Sequence, residues 1–167
     1  MQIRLAGITE ESCADGPGLR FVVFVQGCRR SCPGCHNPET WKENGGCAVE
    51  VAAIAEQIVS KAELLDGITL SGGEPFLQID ACRELVALIR KECPQLSVLI
   101  YSGYTFEELL NHPQAYELMA LSDIMVDGPF MKEKRSELPF RGSSNQRILD
   151  LGKSLAVKKA VPYSSDF

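Results

Sequence analysis

The sequence has no uninterrupted apolar run long enough to cross a membrane, which takes about 20 residues in a helix. It also lacks a secretory leader pattern, because Met1 to Ala6 alternates polar and apolar residues with no basic region ahead of an apolar core. These absences predict a cytoplasmic protein with no membrane partner. Basic residues are in the minority, 17 Lys and Arg against 22 Asp and Glu, for a net charge of −5. A surface devoted to nucleic acid is therefore not expected. Repeats, low-complexity tracts and linker-like segments are missing too. The 167 residues thus read as a single domain, 1–167, with a polar tail from about residue 151.

Cysteine, by contrast, is plentiful. There are seven, an odd number that a fully paired disulfide framework could not use. In a reducing compartment they read first as metal or catalytic ligands. Cys28, Cys32 and Cys35 form a Cys-x3-Cys-x2-Cys run directly after the apolar stretch Phe21-Val22-Val23-Phe24-Val25. Three thiolates so spaced suit a 4Fe–4S cluster and leave its fourth iron without a cysteine. An open metal position is where substrate chemistry can take place, as in catalytic zinc sites.

The same residues allow other readings. Cys32-Pro33-Gly34-Cys35 has the pattern of a redox dithiol, which would leave Cys28 without a role. Cys32-x-x-Cys35-His36 matches a c-type haem attachment pattern, a chemistry that normally needs export. Zinc held by Cys28, Cys32 and Cys35 with His36 or Cys47 is a third reading, that of a non-enzymatic interaction module. Cys13, Cys47, Cys82 and Cys93 have no partner spacing, and Cys82 and Cys93 are expected to pack in or near a helix.

Strands are expected over 2–8, 20–26, 67–71, 96–101, 123–127 and 146–150. Helices are expected over 49–64, from Asp80 as cap to before Pro94, from the capping box Thr105-Phe106-Glu107-Glu108, and after Pro113. Strand–helix alternation with crossovers of this length predicts an α/β fold, an open or partial β/α barrel of mostly parallel strands. In such folds functional groups lie beyond the carboxyl ends of the strands. The cysteine run, Gly72-Gly73-Glu74-Pro75, Ser102-Gly103-Tyr104 and Asp127 each follow a strand directly, so they are expected to meet on one rim. Paired glycines let a backbone approach a ligand closely, and Glu74 adds an acceptor suited to an ammonium group.

The cysteine run followed by a strand-terminal Gly72-Gly73-Glu74-Pro75 resembles the radical S-adenosylmethionine (SAM) superfamily. Asp15-Gly16-Pro17-Gly18-Leu19-Arg20, Pro33-Gly34-Cys35-His36-Asn37, Asp127-Gly128-Pro129-Phe130 and the segment Phe140 to Arg147 narrow the likeness to activating enzymes of glycyl-radical enzymes. Within these, the chain is most similar to the branch that serves anaerobic (class III) ribonucleotide reductase, over about Gly7 to Leu149. The pyruvate formate-lyase branch is the alternative.

The resemblance implies a radical SAM type of partial barrel and a 4Fe–4S cluster held by Cys28, Cys32 and Cys35. SAM would bind at the open iron, its methionine end held by Gly72, Gly73 and Glu74. Ser102 and Asp127 become candidates for contacts to the ribose or methionine, and His36 for the adenine, because Gly34 stands where many members carry an aromatic residue. It further implies an oxidoreductase whose partners are a glycyl-radical enzyme and an electron donor such as flavodoxin or ferredoxin.

Overall fold

The computed structural model describes residues 1–164. The strand with the most continuous apolar character, Arg20–Val25 (β2), lies inside a seven-stranded sheet and is almost wholly buried, as its run of Phe and Val requires. β2 is parallel to Gly67–Gly72 (β4), which is parallel to Ser97–Tyr101 (β5), which is parallel to Ile124–Asp127 (β6). Both flanks turn antiparallel. Gln2–Ser12 (β1) pairs with β2, and Cys47–Glu50 (β3) pairs with β1. Arg147–Asp150 (β7) pairs with β6. The order is β3-β1-β2-β4-β5-β6-β7, and the sheet is open. The expected parallel arrangement therefore describes the four central strands only.

The helices Val51–Ser60 (α1), Ile79–Glu92 (α2) and Pro113–Ala120 (α4) pack side by side, α1 on α2 and α2 on α4. Alternate strand residues such as Phe21, Val23, Val25, Ile68, Leu70, Val98, Ile100 and Met125 meet Ile54, Ile58, Leu85, Ile89 and Leu118 in one buried core. Cys82 and Cys93 lie in it as packing residues, and all seven cysteines are free thiols. Among the described residues no helix is long and apolar enough to cross a membrane.

Local signals explain the helix ends. Thr105 and Glu108 form the expected reciprocal capping box of Phe106–Leu110 (α3). Pro113 opens α4, and His112 caps it by accepting from the Ala115 N–H through Nδ1. Asp80 does not cap α2. Gln78 occupies that position, and Asp80 lies in the first turn, paired with Arg83 at 3.3 Å. Residues 49 and 50 belong to β3 rather than to the helix that follows. The expected polar tail begins instead with a helix, Leu151–Val157 (α5), capped by Asp150, which accepts from the Lys153 N–H. After α5 the chain returns along β7: the Asp150 N–H donates to Val161 O and the Tyr163 N–H to Ile148 O.

Candidate functional site

The loop carrying the three cysteines is fastened at its base. Leaving β2, Gly27 takes a left-handed φ of 97° and its N–H donates to Thr40 O at 2.7 Å. The Cys28 N–H then donates to Trp41 O at 3.1 Å. Between these points the Cys35 N–H returns to Cys32 O at 3.0 Å, a turn in which Gly34 has φ of 76°. The cysteine spacing is therefore expressed as a closed loop standing on the carboxyl end of β2.

The glycine turn after β4 is packed against that base. The Gly73 N–H donates to Val25 O at 2.7 Å, and the Glu74 N–H donates to Gly27 O at 2.8 Å. A Cβ on Gly73 would stand 2.3 Å from Gly27 O, and one on Gly72, whose φ is 93°, would stand 2.8 Å from Phe24 Cα. Both positions thus require glycine for the protein's own backbone packing, apart from any ligand.

Glu74 is 2% exposed. Its carboxylate accepts from the Phe76 N–H at 3.1 Å, the Ser102 hydroxyl at 2.9 Å and the Gly103 N–H at 2.8 Å. All three donors are neutral, and among the described residues no cationic side chain bonds to it. Burial is the dominant influence and lifts its pKa from the ordinary 4.5 to about 7, against the downward pull of those hydrogen bonds. Glu74 thus ties the end of β4 to the end of β5 and leaves negative charge poised at the rim. Cys28 is also pushed up by burial.

Cys28, Cys32 and Cys35 share one cavity of about 120 Å³ with Gly72, Gly73, Glu74 and Ser102. The expected meeting on one rim thus holds for these seven. It holds for Gly103 too but does not extend to Pro75, Tyr104 or Asp127, and His36, the candidate for the adenine, does not line the cavity either. Asp127 is 1% exposed and engaged elsewhere, accepting from the Phe106 N–H at 2.7 Å and from the Arg147 guanidinium, which also reaches Glu107. Its neighbour Gly128 lines the cavity in its place. His36 is exposed, its ring 4.9 Å from that of Phe130, and Phe130 is the member of the pair on the cavity wall.

Arg30 and Trp41 also line the cavity. Arg30 lies over the Tyr104 ring at 4.6 Å and pairs with Glu108 at 3.8 Å. Its place between two of the cysteines was the only signal for it. Among the described residues no three His, Cys, Asp or Glu side chains converge tightly enough for a single metal ion. Three thiols around a common cavity suit a polynuclear cluster better, because each thiolate then takes a different iron. Cys47, a candidate fourth zinc ligand, stands exposed on β3 opposite Leu5 and does not line the cavity. A larger groove of about 450 Å³ runs along β7 and contains none of the cysteines.

Residues 14–149 match a family model described as a 4Fe-4S single cluster domain, so the class of protein this fold and loop define is an iron–sulfur protein with one such domain. Relatives narrow the class. The chain is 38% identical over 143 residues to the anaerobic ribonucleoside-triphosphate reductase-activating protein of Escherichia coli (strain K12), covering 80% of this chain and 90% of that protein. It is 36% identical to the protein of the same name from Vibrio cholerae serotype O1, with 80% and 89% covered. It is 31% identical over 138 residues to that of Enterobacteria phage T4, with 80% and 85% covered. The chain belongs to the family of anaerobic ribonucleoside-triphosphate reductase-activating proteins.

Proposed function

We propose that this chain is a radical SAM activating enzyme that generates a glycyl radical on anaerobic ribonucleotide reductase. What carries the reading is the convergence of Cys28, Cys32 and Cys35 with the Gly72-Gly73-Glu74 turn on one cavity, in a member of an activating-protein family. Cys28, Cys32 and Cys35 would hold a 4Fe–4S cluster, which would supply one electron for reductive cleavage of the sulfonium of SAM, the chemistry that removes a hydrogen atom from a glycine of the partner.

The chain's own residues position and charge the site. Gly72 and Gly73 let the end of β4 pack directly on the base of the cysteine loop, and both line the cavity that would take the methionine end of SAM. Glu74 brings a buried negative charge with no protein cation bonded to it, suited to a ligand carrying a sulfonium and an amino group. Ser102 holds Glu74 in place by donating to it. Asp127 acts at one remove: through Arg147 and the Phe106 N–H it fixes the end of β6, and with it Gly128 on the wall. His36 supports Phe130, which lines the cavity and would take the adenine.

The open sheet is a partial barrel of the radical SAM type, forming a single domain over residues 1–167. It leaves the site laterally accessible to a protein loop. A one-electron donor such as flavodoxin or ferredoxin and a cytoplasmic location complete the reading.

Anaerobically reconstituted protein is expected to contain iron and sulfide and, once reduced by dithionite, to cleave SAM. Mixed with SAM and the reductase it should give a glycyl doublet in electron paramagnetic resonance. Cys28→Ala should abolish both SAM cleavage and the doublet. Normal cleavage by that variant, or one zinc and no iron in the wild type, ends the proposal.

A further inference from the structure

Trp41 is the only tryptophan in the chain. It lines the cavity shared by the three cysteines, and its indole Nε1–H is buried with no hydrogen-bond partner among the described residues. An unmet buried donor is costly, and tryptophan N–H groups usually find a partner when buried. The charged acceptor on this cavity, Glu74, takes its bonds from Phe76, Ser102 and Gly103 and none from Trp41.

The backbone that carries the ring is held on both sides. The Trp41 N–H donates to Pro38 O at 3.2 Å, and its carbonyl accepts from Cys28. The buried Gln26 amide donates to Glu39 O at 3.1 Å and to Lys42 O at 2.7 Å, clamping the chain on either side of Trp41. The fold therefore fixes the backbone of Trp41 against that of Cys28, on the cavity that the three thiols line, and leaves its indole N–H unused.

We infer that Trp41 donates its indole N–H to a sulfur of the cluster held by Cys28, Cys32 and Cys35, and so raises the cluster's reduction potential. The inference rests on the cluster reading above. Hydrogen bonds to the sulfurs of such clusters stabilise the added negative charge of the reduced form. Trp41 is thus a positioning and tuning residue, one that makes the cluster easier to reduce without being a ligand to it.

Because there is one tryptophan, indole-¹⁵N labelling marks this site alone. In labelled wild-type protein, reconstituted anaerobically, reduced and free of SAM, pulsed electron paramagnetic resonance should show a coupling between the cluster and the indole nitrogen. Trp41→Phe keeps the ring and removes the donor. At full iron content it should lower the potential, so that at a fixed poise the ratio of reduced to oxidised cluster falls about tenfold, equivalent to 59 mV for a one-electron couple.

An unchanged potential in iron-replete Trp41→Phe, or no nitrogen coupling in the labelled wild type, overturns the inference while leaving the cluster in place. A coupling that appears only after SAM is added overturns it as well, since the donor would then serve that ligand. If Trp41→Phe does not hold iron, the labelled wild type decides alone. Absence of any reduced-cluster signal from wild-type protein overturns the cluster reading itself, and this inference with it.

Discussion

The two ends of the parallel strands each bury a charge, and they do so with opposite results. At the amino end, Arg20 is fully buried. Its Nε donates to Thr69 Oγ1 at 2.7 Å, Nη1 to Pro17 O at 3.0 Å and Ser97 Oγ at 2.9 Å, and Nη2 to Ile68 O and to Ser97 O at 3.0 Å. Burial lowers its pKa to about 10, so it is still ionised at neutral pH. At the carboxyl end, burial lifts Glu74 to about 7, so its charge is balanced near neutrality. Desolvation opposes both charges, but an arginine starts far from neutral pH and a glutamate starts close to it. The amino end is therefore a fixed fastening, whereas the carboxyl end keeps a charge that a ligand can draw out.

Three substitutions test that contrast. The largest effect is expected for Arg20→Met, which keeps much of the volume and removes the buried donors that reach the carbonyls of Pro17, Ile68 and Ser97. At about 1–3 kcal/mol for each unmet group, a loss of about 4 kcal/mol is expected in urea unfolding. A loss under about 1 kcal/mol would mean that the amino end is not a fastening. Next comes Gly73→Ala, whose Cβ meets the Gly27 carbonyl oxygen. The backbone must move, at a cost of about 3 kcal/mol, and the start of the cysteine loop moves with it. Unfolding and iron uptake should therefore fall together. If stability falls while iron uptake is unchanged, the two turns are not mechanically joined.

The smallest effect is a pH slope. Glu74 binds its proton more tightly folded than unfolded, so the folded state carries the extra proton between pH 4.5 and about 7. Stability of the metal-free protein should fall as pH rises through that window, by on the order of 3 kcal/mol, and then level off. Glu74→Gln should remove the slope. A wild-type profile that rises across the same window would show that Glu74 has a compensating cation.

Much of this architecture is legible in the residues. β2, β4, β5 and β6 are short apolar runs ended by Gly or polar residues, and the Thr105–Glu108 box needs only local chemistry. Cys28, Cys32, Cys35, Gly72, Gly73, Glu74 and Ser102 could be found on the cavity because each stands at or just beyond the end of a strand. β3 escaped because its four residues are mostly exposed and show no buried alternation. α5 escaped because Gly152, Lys153 and Ser154 read as polar coil, whereas Ser154 is buried and its hydroxyl donates to Asp150 O. Asp127 was misleading for a different reason. Its partner Arg147 is 20 residues away, and no local pattern tells that this carboxylate is already spoken for. The empty hand of Trp41 is invisible for the same reason: a missing partner is a property of three dimensions.

The run at Val161 to Tyr163 has a consequence beyond the site. It lies along the outer side of the last strand, with Pro162 opposite Leu149, and takes up backbone groups that would otherwise face water. A bare strand at that border would be a template on which a like chain could add itself and begin a fibril, and a proline there, with no N–H to give, discourages further addition. An open sheet can thus leave its rim accessible to a partner while this flank is sealed against self-stacking.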